Sequence, residues 1–226
     1  MINVSLVIVL SDYKANILSE LKEFYDKLER CTDNFDITVI NTSYNEGLLL
    51  SLLTFCDSHS HCKVQRLLSY TLLDCVNLAL STTEYDNIIF LNNEVSTHSI
   101  DLDYVVSNYT ARKNRCCFAL FNNSNEERKE ISGVVLKRFD LKQIVSCINV
   151  DSMTELMIQL CVLYSCIGNV YRVNYKAPSY PLYASTIEVK GIKRFRLRSF
   201  LRKCKRIYPK QLSCKKSKCN FDTLSN

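Results

Sequence analysis

The stretch Tyr85–Val95, YDNIIFLNNEV, decides how this chain folds. Its middle, Ile88–Leu91, is an unbroken apolar run, the pattern of a strand covered on both faces instead of one with a wet side. It ends on a polar cluster, Asn92-Asn93-Glu94. Strands covered on both faces belong inside parallel sheets, and such sheets place ligands beyond the carboxyl ends of their strands. The stretch therefore predicts an α/β fold with a site at its polar end, against the plainer alternative that Asn92-Asn93 only makes a turn.

The surrounding sequence agrees. Val4–Leu10 (VSLVIVL) is a second apolar, β-branched run. After it, Ile17, Leu18, Leu21, Phe24, Tyr25 and Leu28 recur at helical spacing. Phe35–Ile40 reads as a strand, Gly47–Cys56 as a helix, Lys63–Leu67 as a short strand and Thr71–Leu80 as a helix. The first hundred residues thus alternate β-α-β-α-β-α-β with short connections, which predicts a doubly wound, mostly parallel sheet with helices on both faces. Beyond it the spacing predicts a helix over Leu102–Tyr109, strands at Cys116–Phe121 and Ile131–Lys137, a helix over Thr154–Tyr164 and a strand at Asn169–Val173. Segment 178–186, PSYPLYAST, reads as an extended loop.

A chain of 226 residues has room for one sizeable core. Four glycines and three prolines leave no linker-like segment. No apolar run reaches the ~18 residues of a spanning helix. Val4–Leu10 lacks the basic flank and cleavage site of a signal peptide, so a cytoplasmic location is the default expectation. Twelve cysteines lie scattered through apolar segments, the usage of reduced thiols serving as small buried hydrophobes. Charge divides the chain in two. Residues 1–188 carry 16 Lys and Arg against 22 Asp and Glu, and residues 189–226 carry 13 against 1. An acidic body, about 1–186, therefore bears a basic tail, 187–226.

The local wording along the body resembles the family 2 glycosyltransferases of the GT-A fold, over roughly residues 3–186. LSDYKAN stands where these enzymes have the loop after strand one, and TVINTS where their second strand ends in an Asp-rich turn. CVNLALSTTEYDNIIFLNNEV follows their helix and DxD-bearing strand. ISGVVLKR matches a later strand, and VDSMTELMIQLCVLYSCIGNVYRVN has the shape of the helix that carries their catalytic base. The resemblance implies transfer of a sugar from a nucleotide sugar to a glycan or lipid-linked acceptor, in surface polysaccharide or glycolipid synthesis, with inversion.

Residue by residue, the resemblance puts Asp12, Tyr13 and Asn41 on the nucleotide. Asn92 and Glu94 take the two Asp positions of DxD, where carboxylates hold Mn²⁺ or Mg²⁺ against the diphosphate. One carboxylate survives, and His98 is a further metal or diphosphate contact. The base falls to Asp151 or Glu155, because Ser152 and Met153 occupy the family's acidic pair. Plainer roles stand beside these: Asp12 as a helix cap, Asn41 as a turn former, and Asp151 or Ser152 with Glu155 as an ordinary helix start. Departures at all three carboxylate positions keep a second reading open, a catalytically inactive GT-A-like binding or regulatory module that takes a partner or a nucleotide.

CDSHSHC (Cys56, His59, His61, Cys62) has zinc-binding atoms within seven residues, but not the two separated knuckles of a structural site, so a polar connection between helix and strand is the favoured reading and zinc the alternative. In the tail, Leu197, Phe200, Leu201, Cys204, Ile207 and Tyr208 form one helical stripe. Arg194, Arg198, Arg202 and Lys205 are the expected contacts to an anionic membrane surface or phosphates. Packing of the stripe on the body ranks second, and nucleic acid last.

Overall fold

The computed structural model describes residues 2–11, 16–68, 70–92, 100–112, 114–121, 131–174, 177–182 and 194–213. Asp12, Tyr13, Glu94 and His98 lie outside them. The first half lays down β1 (Asn3–Leu10), α1 (Ile17–Cys31), β2 (Asn34–Asn41), α2 (Glu46–Asp57), β3 (Cys62–Arg66), α3 (Leu72–Thr82) and β4 (Asn87–Asn92). The second adds α4 (Leu102–Thr110), β5 (Cys116–Phe121), β6 (Ile131–Lys137), α5 (Arg138–Ile144), α6 (Met153–Ile167), β7 (Asn169–Asn174) and β8 (Ala177–Leu182). The tail forms α7 (Arg194–Cys204) and α8 (Pro209–Ser213).

All eight strands join one sheet in the order β3-β2-β1-β4-β6-β5-β7-β8. β6 and β8 run against the other six, so the sheet is mostly parallel. β4 shows why its sequence is apolar throughout. Ile88 and Phe90 pack with α3, α5, α6 and α7, whereas Ile89 and Leu91 pack with α1, α2 and α4. Alternate side chains of one strand thus enter two separate cores. Order reverses at β1: β2 and β3 lie to one side of it and β4 to the other.

Two expectations need correction here. Of the segment read as a loop at 178–186, residues 178–182 belong to an antiparallel strand, Ala177–Leu182, which among the described residues pairs with β7 alone, and 183–186 lie outside the described residues. An outer strand spares one side of its backbone from pairing, which is where proline is tolerated. The thiols are not all reduced. Nine described cysteines are free, seven of them buried, but half-buried Cys166 near the end of α6 is disulfide-bonded. At Cys56–Cys62 the structure goes against the zinc alternative. His59 stacks on Phe55 (4.0 Å between ring centres) and meets the edge of Tyr25 (4.7 Å), while His61 lies against Phe35 (5.1 Å). The imidazoles are spent on packing, and the described residues hold no group of three metal-ligating side chains.

The tail's stripe turns inward. Leu197, Phe200, Leu201, Cys204 and Tyr208 are buried in the same core as α6, and Ile207 packs partly buried against it. Among the described residues this stripe is therefore taken up by the core and is not free for a membrane, so that half of the membrane expectation is withdrawn. Arg198, Arg202, Lys203, Lys205 and Arg206 remain exposed on its outer side.

Candidate functional site

The reversal of strand order at β1 leaves a cleft at the carboxyl ends of β1 and β4, where such sheets place ligands. The cleft measures about 520 Å³. Val9 and Ser11 of the β1 end and Asn92 of the β4 end form its floor. One wall is Tyr70, Thr71 and Leu72, and the other runs from Val150 to Thr154. Both walls are helix starts. Thr71 caps α3 with a reciprocal bond to Asp74, and Ser152 caps α6 by accepting the Glu155 N–H (3.1 Å). The 11-residue and 15-residue helices thus both open at the cleft, where their unpaired N–H groups and dipoles favour an anion.

Of the sequence-derived residues, the cleft brings together Asn92 and Asp151. Asn92 is buried with 6% exposure, as the last residue of a covered strand must be. Asp151 is 68% exposed at the rim. Asn41 sits at the end of β2, one strand beyond β1, fully buried. Its Oδ1 accepts from the Ser43 N–H (3.0 Å) and hydroxyl (2.9 Å), while its Nδ2 has no partner. Its described bonds make the turn, with one buried donor left over.

Glu155 is not at the surface of the cleft. It is buried, and its Oε2 accepts from the Asp151 N–H (3.0 Å), so it helps fix the start of α6. Its Oε1 and the Oε1 of Gln159, one turn on, are buried without partners. The plain helix-start reading of this segment is therefore present in full.

Sequence reasoning passed over Arg196. Reaching back from α7, its Nη1 donates to Asp151 Oδ2 (2.5 Å) and to Glu155 Oε2 (3.4 Å). The bond from Asp151, reinforced by the charges of Asp151 and Glu155, holds this guanidinium protonated even more firmly than usual. Arg196 is separated from Glu155 by 41 residues and sits among many cations of the tail, so no local pattern marks it. Its one clue was its place beside the buried stripe. Of the tail cations singled out from sequence, Arg198, Arg202 and Lys205 are exposed and away from the cleft lining, and Arg194 begins α7.

No family model and no curated protein matches the sequence. Solved structures do match in fold. A mannosyltransferase, PcManGT from Pyrobaculum calidifontis in complex with GDP-Man and Mn²⁺, superposes with a TM-score of 0.54 at 11% identity, over 89% of this chain and 64% of that one. TarS residues 1–349 of S. aureus give 0.53 at 13% identity, over 94% and 75%. A mycobacterial protein gives 0.56 at 10% identity, over 89% and 74%. The chain spans less than two thirds of the mannosyltransferase. At these identities the likeness is one of fold, and the fold is a GT-A-like α/β sheet.

Proposed function

We propose that the cleft between β1 and β4 binds the diphosphate of a nucleotide sugar, and that the chain transfers the sugar to a glycan or lipid-linked acceptor. The observation that carries this is the meeting of two capped helix starts and Asn92 at the point where strand order reverses. A diphosphate there would be held by backbone N–H groups with little need of side-chain charge. Asp12, Tyr13 and Asn41 would hold the nucleoside, and the structure with GDP-Man supports that class of ligand. The family expectation of inverting transfer, toward a surface polysaccharide or glycolipid, belongs to this reading.

Among the described residues, the metal-ligating atoms of the cleft are an amide oxygen at Asn92 and a carboxylate at Asp151 already paired with Arg196. Those two do not by themselves fit a hard divalent cation, which needs several oxygen ligands. Use of Mn²⁺ or Mg²⁺ would rest on Glu94 and His98, which lie outside the described residues. For the base, Asp151 is better placed than buried Glu155, since it reaches the cleft. Its ion pair with Arg196 must open, or be shared, before it takes a proton from an acceptor hydroxyl.

That ion pair favours the second reading, a GT-A-like binding module without turnover. The exposed tail cations would allow contact with anionic lipid through charge alone, about 1 kcal/mol for each one near the surface. The deciding experiment measures melting temperature with UDP, GDP, CDP and dTDP, each with and without Mn²⁺. A ligand at 100 times its Kd adds about 2.7 kcal/mol, a plain shift. Turnover of the matching nucleotide sugar that is lost in Asp151→Asn with binding kept makes the chain a transferase. Binding without turnover makes it a nucleotide-binding module, and no shift with any diphosphate ends the transferase reading and leaves only a module that binds a partner.

A further inference from the structure

The opposite end of β4 borders a second hollow, independent of the cleft and of its proposed ligand. It measures about 320 Å³, within the range of small-ligand sites, roughly 300–1,000 Å³. Six residues of β4 span about 17 Å, so the whole width of the sheet separates the two. The lining comes from Arg112 after α4, Arg115 before β5, Lys137 at the end of β6, and Phe139 and Asp140 of α5. A smaller hollow of about 290 Å³ adjoins it and shares Arg112.

Three cations meet two acids there, and both acids are engaged. Asp140 is buried. It takes an ion pair from Arg115 (3.2 Å) and a hydrogen bond from the Tyr164 hydroxyl (2.7 Å). Asp86 pairs with Lys137 at 3.5 Å, and Lys137 also donates to the Asn87 amide oxygen (2.5 Å). Arg112 is left over. Its guanidinium lies 3.9 Å from the ring centre of Tyr171 and 5.9 Å from that of Phe118, and no acceptor bonds it among the described residues. Stacking satisfies the face of a guanidinium but leaves its N–H edges free, and those edges are what bind phosphate two at a time. Phe139, 58% exposed on the same lining, offers an apolar face with nothing packed over it.

We infer that this hollow is a binding site for a phosphate dianion carried on a small molecule such as a sugar phosphate. The uncompensated charge of Arg112 and the loosely paired charge of Lys137 match a dianion. The phosphate lies against those two side chains, and the carbon skeleton lies against Phe139. Free phosphate shares the same chemistry, so the experiment separates the two sources.

Calorimetric titration of the full chain with glucose 6-phosphate, inorganic phosphate and glucose provides the test. The account expects both phosphates to bind and glucose not to. Arg112→Gln weakens both by about tenfold or more. Asn92→Ala, at the far end of the strand, changes neither. Tighter binding of glucose 6-phosphate, lost in Phe139→Ala, names the ester as the ligand, and equal affinity names free phosphate. Should Arg112→Gln not fold, the Nε–H resonance of Arg112 in the unaltered protein must shift on adding phosphate. Absence of binding at millimolar ligand, or binding unmoved by Arg112→Gln with an unshifted Nε–H, overturns the site.

Discussion

The two ends of β4 are built on different plans. At its carboxyl end the cleft follows from connectivity: strand order reverses at β1, two helices begin there, and side chains supply little charge. At its amino end nothing in the topology calls for a site. Polar and charged groups from β4, β5, β6, α4, α5 and α6 are instead gathered by packing, and most are spent on one another. Even the start of the opening stretch is pinned this way. The Tyr85 N–H donates to the Ser5 hydroxyl (3.0 Å), which in turn donates to buried Asp36. A site made by topology tolerates loss of its side chains, and a site made by packing does not.

The strongest break in this contrast is Gly168→Ala. A Cβ at Gly168 would lie 2.3 Å from the Arg115 carbonyl oxygen, a backbone atom that cannot swing aside. Arg115 also leads into β5 and accepts the Asn169 N–H (3.1 Å), so the amino edge must shift as a unit. The expected loss is about 3 kcal/mol in urea unfolding, at the upper end of overpacking costs. Phosphate affinity at the amino edge should fall with it. A variant as stable as the parent would show that this edge is not tightly determined.

A smaller effect should follow Tyr164→Phe, which removes one hydrogen bond from the buried Asp140 carboxylate and leaves Arg115 as its charge partner. A loss of about 1–3 kcal/mol is expected by the same unfolding measurement, with diphosphate affinity at the cleft unchanged. Equal loss of both would mean that the two edges are coupled through α6.

These sites differ in how far the sequence discloses them. The fold was readable because β4 and β1 are apolar on both faces and the helices of the first half carry their own periodicity and caps, such as Thr71 with Asp74. The location of the cleft came with it, since topology puts it at Asn92. Its chemistry did not. Glu155 reads as a base by resemblance and, with more weight, as a helix-start residue, and only the folded chain shows it bonded to the Asp151 N–H. Arg196 was hidden because nothing in a basic tail distinguishes an arginine that turns inward. The amino-edge hollow left no local trace at all, for Arg112, Lys137 and Tyr171 are distant in sequence and meet only through the β6-β5-β7 order. β8 was missed for a related reason: two prolines speak against a strand unless it is known to lie at the edge.

The smallest expected effect is on pH dependence. Burial holds the Asp36 carboxyl above its ordinary value, against the opposing pull of the Ser5 and Glu84 hydrogen bonds. The folded state therefore prefers the neutral acid, while the unfolded chain ionises near pH 4. Stability should fall as pH rises from there through the higher folded value, and then level off. Asp36→Asn should remove that slope. At neutral pH it should be as stable as the parent or better by up to about 1 kcal/mol, because a neutral amide replaces a carboxylate whose charge is costly to bury. Thermal melts from pH 4 to neutral check this, and an unchanged slope in the variant would assign it to another group.

The central claim is that the carboxyl end of β4 takes a nucleoside diphosphate. It is tested most directly by following backbone and side-chain amide resonances while the four diphosphates are added in turn. The account predicts that one of them shifts the Asn92 side chain and the amides of Leu72 and of Met153 and Thr154, the first turns of α3 and α6, and leaves Arg112 undisturbed. Shifts confined to the exposed cations of α7, or none with any diphosphate, would contradict it.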